Sequence, residues 1–265
     1  MNTAMRVPVL MYHRVGMANN PWEARYAIRP NDFVAHMETL ARKGYRAVAA
    51  DALVDWLGGG PPLPSGAFVL TFDDGFRGVR EHALPVLERL GWPFTVFLVS
   101  DLLGGDDVWT RELNPDGATY PLLDEDEIRD MLQRGTSFHS HTRSHADLPT
   151  LDDAQLADQL ASPRETLARL VGHDVPYIAY PFGHVDERVE AATRAAGYRA
   201  AFSTQPGFNR RDVNPFRIRR LDVFGTDTPA MLLRKIRLGS NDGSLAHAAR
   251  YYLSRLGSRL PGASR

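Results

Sequence analysis

The chain contains no cysteine. Disulfides, thiolate metal ligands and cysteine nucleophiles are therefore excluded. The absence says little about compartment, because a chain of 265 residues builds a core without covalent staples. Charge of one sign is also missing. Lys and Arg number 31 against 32 Asp and Glu, so bulk electrostatics favour neither nucleic acid nor an anionic membrane as partner. No run of about 18 apolar residues occurs that could span a bilayer. The apolar stretch Val7 to Tyr12 is too short for a secretory signal, which leads us to expect a cytoplasmic protein. The phosphate-cradling pattern G-x-x-x-x-G-K-[ST] is absent too.

What is present is a rhythm of short apolar runs that end in polar residues. Strands are expected at Val7–Tyr12, Tyr45–Ala49, the apolar run Ala67–Leu70 that leads to Asp73, Phe94–Val99, Thr136–Ser140, Tyr177–Tyr180, Arg199–Phe202 and Phe216–Leu221. Helices are expected between most of them, including Gly78–Leu90 and Leu151–Leu170, the latter kinked or broken at Pro163. Alternation of this kind predicts an α/β fold with about seven or eight parallel strands, closed or nearly closed into a barrel. Residues 228–258 read as two helical segments packed on that barrel. Residues 259–265 read as a frayed tail. The long insertion from Ser100 to Leu123, with Trp109 and Tyr120, either shapes the mouth of a site or decorates the surface.

Two clusters carry chemistry. The strand from Ala67 delivers adjacent carboxylates, Asp73 and Asp74, to its tip, where α/β folds present their reactive groups. His141 and His145 are four residues apart, and His139 precedes them, in a chain with only nine histidines. Imidazole combined with carboxylate suits Zn2+, Fe2+, Co2+ or Ni2+. One aspartate and two histidines would hold a divalent metal and leave positions open. The other aspartate would then be free to take a proton from water on the metal, which points to metal-assisted hydrolysis.

Thr71-Phe72-Asp73-Asp74-Gly75, His141-Thr142-Arg143-Ser144-His145 and Ala179-Tyr180-Pro181-Phe182-Gly183 resemble the first three motifs of the polysaccharide deacetylases, the NodB-homology fold of carbohydrate esterase family 4. Their order and spacing match over residues 5–225. Leu10-Met11-Tyr12-His13-Arg14-Val15 is similar to the opening strand of the branch acting on exopolysaccharides and poly-N-acetylglucosamine. The resemblance implies a distorted (β/α) barrel that removes N-acetyl groups from amino sugars, whether polymeric, oligomeric or lipid-linked. It implies Asp73 as general base, Asp74, His141 and His145 as metal ligands, and the Phe182 backbone N–H as oxyanion donor. The missing export signal favours a cytosolic small or lipid-linked substrate, or a step in association with a membrane-bound polysaccharide assembly system.

Departures from the commonest family pattern leave two roles to fill. The arginine that orients the base is absent at Ala179. Arg217, Arg219 and Arg220 are the substitutes, and Arg219 is preferred. No histidine lies between His184 and His247 to protonate the leaving amine. His13, at the tip of the first strand, is the preferred acid and His184 the alternative. His139 shares a strand face with His141 and is expected to support the ligands. Trp22, Tyr26, Trp109, Tyr120, Tyr180 and Phe182 are candidates for a sugar platform, whereas Trp56 and Trp92 belong to packing. Two rival readings stand beside this one: a metal-dependent amidase or deformylase acting on a cyclic ureide or formamide, and a carbohydrate-binding protein without turnover.

Overall fold

The structure is a computed structural model that describes residues 5–257. Its centre is a curled, open, parallel sheet flanked by helices, a distorted (β/α) barrel. In chain order the elements are β1 (Val9–Tyr12), β2 (Arg14–Val15), β3 (Ala27–Ile28), α1 (Pro30–Arg42), β4 (Arg46–Ala47), α2 (Ala50–Leu57), β5 (Ala67–Phe72), α3 (Leu84–Leu90), β6 (Thr95–Leu98), α4 (Glu125–Gln133), β7 (Ser137–Ser140), α5 (Asp153–Val171), β8 (Tyr177–Ala179), α6 (Glu187–Ala195), β9 (Ala200–Phe202), β10 (Leu221–Asp222), α7 (Pro229–Leu238) and α8 (Leu245–Gly257). The strands lie in the order β10-β1-β5-β6-β7-β8-β9, with β4 also paired to β5. Leu221 pairs with Leu10 at one edge, and Ile218 bridges Phe202 at the other, so one short segment touches both edges.

Strand alternation sorts side chains into two layers. Leu10, Leu70, Phe72, Val96 and Leu98 face the helices and pack with Phe33, Met37 and Leu87. Val9, Val69, Phe97, Tyr177 and Ile218 fill the barrel interior. The same inner parity continues upward from Val69 to Thr71 and Asp73, and from Val9 to Met11 and His13. The site therefore sits directly above the inner core. α7 adds Leu232 and Ile236 to the outer layer beside α1. Residues 258–265, with the expected tail, lie outside the described residues. No described helix is long and apolar enough to cross a membrane.

Three local expectations are corrected. The helix expected over Gly78–Leu90 begins as a wide π turn, Val79–Ala83, before α3. Pro85 lacks the N–H that a regular α turn would need there. α5 runs through Pro163 without a break, because Leu156, Leu160, Pro163 and Leu167 are all buried and tertiary packing holds the helix. The last strand is only Leu221–Asp222. Ahead of it, Asn214 Oδ1 accepts from the Phe216 N–H at 2.9 Å and turns Pro215–Arg217 into one 3-10 turn.

Candidate metal centre and active site

All six residues of β5 are buried, and the strand stops at Asp73, whose N–H donates to Tyr12 O at 2.9 Å. The chain then reverses sharply. Asp74 has φ 72° and Gly75 φ 83°. Glycine suits the left-handed dihedral at 75, where a Cβ would lie 2.7 Å from Leu98 Cδ2 and force that side chain to shift. The histidine segment leaves β7 with the His141 N–H on Leu98 O at 2.7 Å. It is not a helical turn: Thr142 and His145 have φ 69° and 61°. Phe182, in the third motif, has φ 58°. These four are the positive-φ residues other than glycine among the described residues, and all lie in the three motifs. Such conformations cost about 1–3 kcal/mol each and persist where surrounding structure holds them.

This backbone brings Asp74, His141 and His145 together, with one potential ligand atom from each within 4.8 Å of the others. Asp74 Oδ1 lies 3.3 Å from His141 Nε2 and 3.4 Å from His145 Nε2. His141 Nδ1 is 2.8 Å from Ala179 O. A carbonyl only accepts, so Nδ1 carries the hydrogen, and Nε2 is the ring atom turned toward the Asp74 carboxylate. Asp74 Oδ1 is buried and has no hydrogen-bond partner among the described residues. A buried, unpartnered carboxylate oxygen facing two imidazole nitrogens at these distances is a donor set that fits a divalent metal. Burial pushes the Asp74 pKa up, but the two imidazoles outweigh it and hold the carboxyl far below its usual range. Burial opposes charge on His141 as well, yet Asp73 and then Asp74 raise its pKa. For His145, burial prevails and the pKa falls.

Asp73 stands beside this cluster, 2% exposed. Arg220 grips it in a fork, Nη1 to Oδ1 at 2.6 Å and Nη2 to Oδ2 at 2.8 Å. The guanidinium is fully buried and is anchored further by Nε to Ser203 O at 2.9 Å. Burial alone would raise the Asp73 pKa; Arg220, then His141, reverse this and hold the carboxyl ionised below its ordinary value. The preference for Arg219 is thereby corrected. Arg219 instead lines a separate flank cavity with Gly207 and Phe208, and Arg217 is paired with Glu190 at 2.8 Å. The segment is not a strand at these positions, so strand alternation could not choose between them. In the structure Ile218 belongs to the inner core, Asp222 lines the active-site cavity, and Arg220 between them faces the same interior.

The cavity above the cluster has a volume of about 310 Å3. His13 lines it and packs edge-on against Tyr26 at 5.4 Å. It is near enough to Asp73, Asp74 and Asp222 to favour their ionised forms. His184, the alternative acid, faces solvent with its side chain 59% exposed and is paired with Asp147 at 3.0 Å. His139 shares the inner face with His141 but lies a layer deeper, bonded to Ser137 at 2.9 Å and packed on Tyr177 at 4.6 Å. Burial lowers its pKa to about 3, so it is a neutral core residue and makes no hydrogen bond to a ligand histidine. The six aromatic candidates Trp22, Tyr26, Trp109, Tyr120, Tyr180 and Phe182 all line the cavity. Trp56 is buried in the core and Trp92 packs on Phe68 at 5.3 Å. The Gly183 and His184 N–H groups donate to Tyr180 O and Pro181 O; neither bond uses the Phe182 N–H.

Three acidic residues of the cavity escaped the sequence reading. Glu23 is 2% exposed and accepts from Arg14 at 2.9 Å, Asn19 N at 2.8 Å, Tyr120 Oη at 2.7 Å and Asn114 Nδ2 at 3.0 Å. It ties the loop before β3 to the Ser100–Leu123 insertion, which forms one wall of the cavity. Asp107 is buried within that insertion, and burial raises its pKa to about 6. Asp222 follows Arg220 on the inner face, and burial likewise raises its pKa. Nothing in its sequence neighbourhood marks Glu23, whose partners Asn114 and Tyr120 lie 91 and 97 positions away.

Comparison with known proteins agrees with this geometry. The family model described as Polysaccharide deacetylase matches residues 61–201, more than half of the chain. The chain belongs to the polysaccharide deacetylase family. Bacillus subtilis YxkH is 26% identical over 218 residues, 82% of this chain and 71% of that protein. The poly-beta-1,6-N-acetyl-D-glucosamine N-deacetylase of Staphylococcus epidermidis is 22% identical over 210 residues, 75% of this chain and 68% of that protein. The crystal structure of a polysaccharide deacetylase from Bacillus cereus superposes with a TM-score of 0.73 at 26% identity, covering 89% of this chain and 70% of that one. Within this family, the buried Asp–His–His cluster supports a metal-dependent hydrolase acting on an amide or acetamido group.

Proposed function

We propose that the protein is a carbohydrate N-deacetylase that releases acetate from N-acetylglucosamine-type residues. The observation that carries this reading is the pairing of a carboxylate kept ionised by Arg220 with a neighbouring Asp74–His141–His145 metal centre, at the floor of an aromatic-lined cavity. The cation expected there is Zn2+, with Co2+, Ni2+ or Fe2+ as substitutes. A divalent cation held by these three residues supplies Lewis-acid polarisation of the acetyl carbonyl and lowers the pKa of water.

The chain's own groups do the rest. Asp73 accepts a proton from the attacking water as its oxygen bonds to the acetyl carbon. The Phe182 N–H donates to the oxygen that gains negative charge, a kind of interaction whose loss typically costs about 3 kcal/mol of barrier. His13 gives a proton to the sugar nitrogen as the C–N bond breaks, leaving acetate and a free amine. The aromatic walls offer flat apolar surface to the sugar ring. With a base that must be ionised and an acid that must be protonated, rate against pH should be bell-shaped.

Acetate and free-amine release from N-acetylglucosamine oligomers, run beside cyclic ureides and N-formyl amides, tests the substrate class. Turnover confined to the ureides or formamides would replace this reading with the amidase one. Sugar binding without any turnover would make the protein a carbohydrate-binding module. In the same assay His13→Ala should lower turnover roughly 100-fold or more with metal content unchanged. An unaltered rate would remove His13 from the mechanism.

A further inference from the structure

We propose that Trp109 is a positioning residue for the metal ligand His145, replacing with ring stacking the hydrogen bond that ordinarily orients a ligating imidazole. The inference rests on Asp74, His141 and His145 holding a metal, and the two histidines are supported in different ways. His141 donates its second ring nitrogen to Ala179 O at 2.8 Å. Such a bond fixes tautomer and ring orientation, and it is the common arrangement at metal sites. His145 has none: its Nδ1 is buried and meets no hydrogen-bond partner among the described residues.

The ring is held by its faces and edges instead. The Trp109 indole lies parallel to it, 4.4 Å between centroids and 14° between planes. Phe182 meets it edge-on at 4.8 Å and His141 at 4.9 Å. The restraint is needed because the His145 backbone, at φ 61°, is in a conformation that non-glycine residues adopt at a cost.

Trp109 can impose an orientation only if it is itself fixed, and the insertion provides this. Asp107, two residues before it, accepts from Thr110 Oγ1 at 2.9 Å and from the Tyr120 N–H at 2.5 Å. Tyr120 and Asn114 are in turn held by the buried Glu23 at 2.7 and 3.0 Å. The Arg14 guanidinium lies 3.4 Å over the Tyr120 ring. The loop that carries the indole is thus anchored to the segment after β1, and one wall of the cavity supports a metal ligand from outside the three family motifs. One indole face is already covered by His145, so a sugar could meet only what remains of the ring.

Competition with a chelator for Zn2+, using the full chain and its Trp109→Ala and Trp109→Phe variants, tests the proposal. Trp109→Ala should weaken Zn2+ binding by about tenfold or more. Trp109→Phe, which keeps a flat ring able to stack, should recover most of that loss. The metal-free melting temperature of both should stay near that of the unaltered protein, because Trp109 is only partly buried at the cavity wall. Unchanged Zn2+ affinity in Trp109→Ala, even with a raised KM for sugar, would overturn the proposal and leave Trp109 as a sugar platform. The deacetylase reading can fail separately: an unaltered protein that binds Zn2+ but releases no acetate would end that reading, while a Trp109-dependent affinity would still stand. A chain that binds no divalent ion would end both.

Discussion

Asp73→Asn is expected to lower turnover roughly 100- to 10,000-fold while leaving metal content unchanged. Asparagine keeps the shape of the side chain but cannot take a proton from water at neutral pH. The candidate metal ligands lie on the other side of the division: Asp74, not Asp73, faces His141 and His145 at 3.3 and 3.4 Å. Acetate release and metal analysis on one preparation check both halves. Near-normal turnover would shift the base role to another acid of the cavity, with Asp222 the first to examine. Loss of metal together with activity would mean that the adjacent carboxylates share the ion.

Arg220→Met should be damaging in two measurable ways. Arg220 is fully buried and Asp73 nearly so, and they share a two-point hydrogen bond at 2.6 and 2.8 Å. Removing one partner of a buried pair typically costs about 3–5 kcal/mol. The direction of the pH effect follows from the forces on Asp73. Its folded-state pKa is depressed because Arg220 overcomes burial. The pair's contribution to stability is therefore present above the ordinary carboxylate pKa and is lost as pH falls through the depressed value. Without Arg220, burial acts with less opposition and the pKa rises. The acid limb of the pH–rate profile should move toward alkaline pH, with part of the activity recovered there. A denaturant melt and a pH–rate profile measure the two effects. An acid limb that stays in place would show that something other than Arg220 keeps Asp73 ionised.

Much of this site was legible in the sequence because its main parts are local. β5 delivers Asp73 and Asp74 together, and a single turn after β7 carries both histidines of the candidate metal cluster. The aromatic candidates were also found, since Trp, Tyr and Phe in loops beside strand tips are conspicuous. The orienting arginine was harder. Arg217, Arg219 and Arg220 differ only in direction, and that direction is set by Asn209, which holds the Arg219 backbone at 2.9 Å through both its N–H and its carbonyl. The insertion was legible as a length of chain but not as a support for His145, because its anchor is Glu23, 91 positions from Asn114 and 97 from Tyr120. His184 follows the Pro181-Phe182-Gly183 turn, and the structure shows it facing solvent and paired with Asp147, a direction the sequence does not reveal.

The most direct test of the account is metal add-back. The purified protein is stripped with a chelator, given Zn2+ in increasing stoichiometry, and assayed for acetate release from N-acetylglucosamine oligomers, beside a His141→Ala variant. The account predicts negligible release from the stripped protein, recovery that saturates at one ion per chain, and no recovery in the variant. Acetate release that persists after stripping, or that Zn2+ restores equally in His141→Ala, would contradict it.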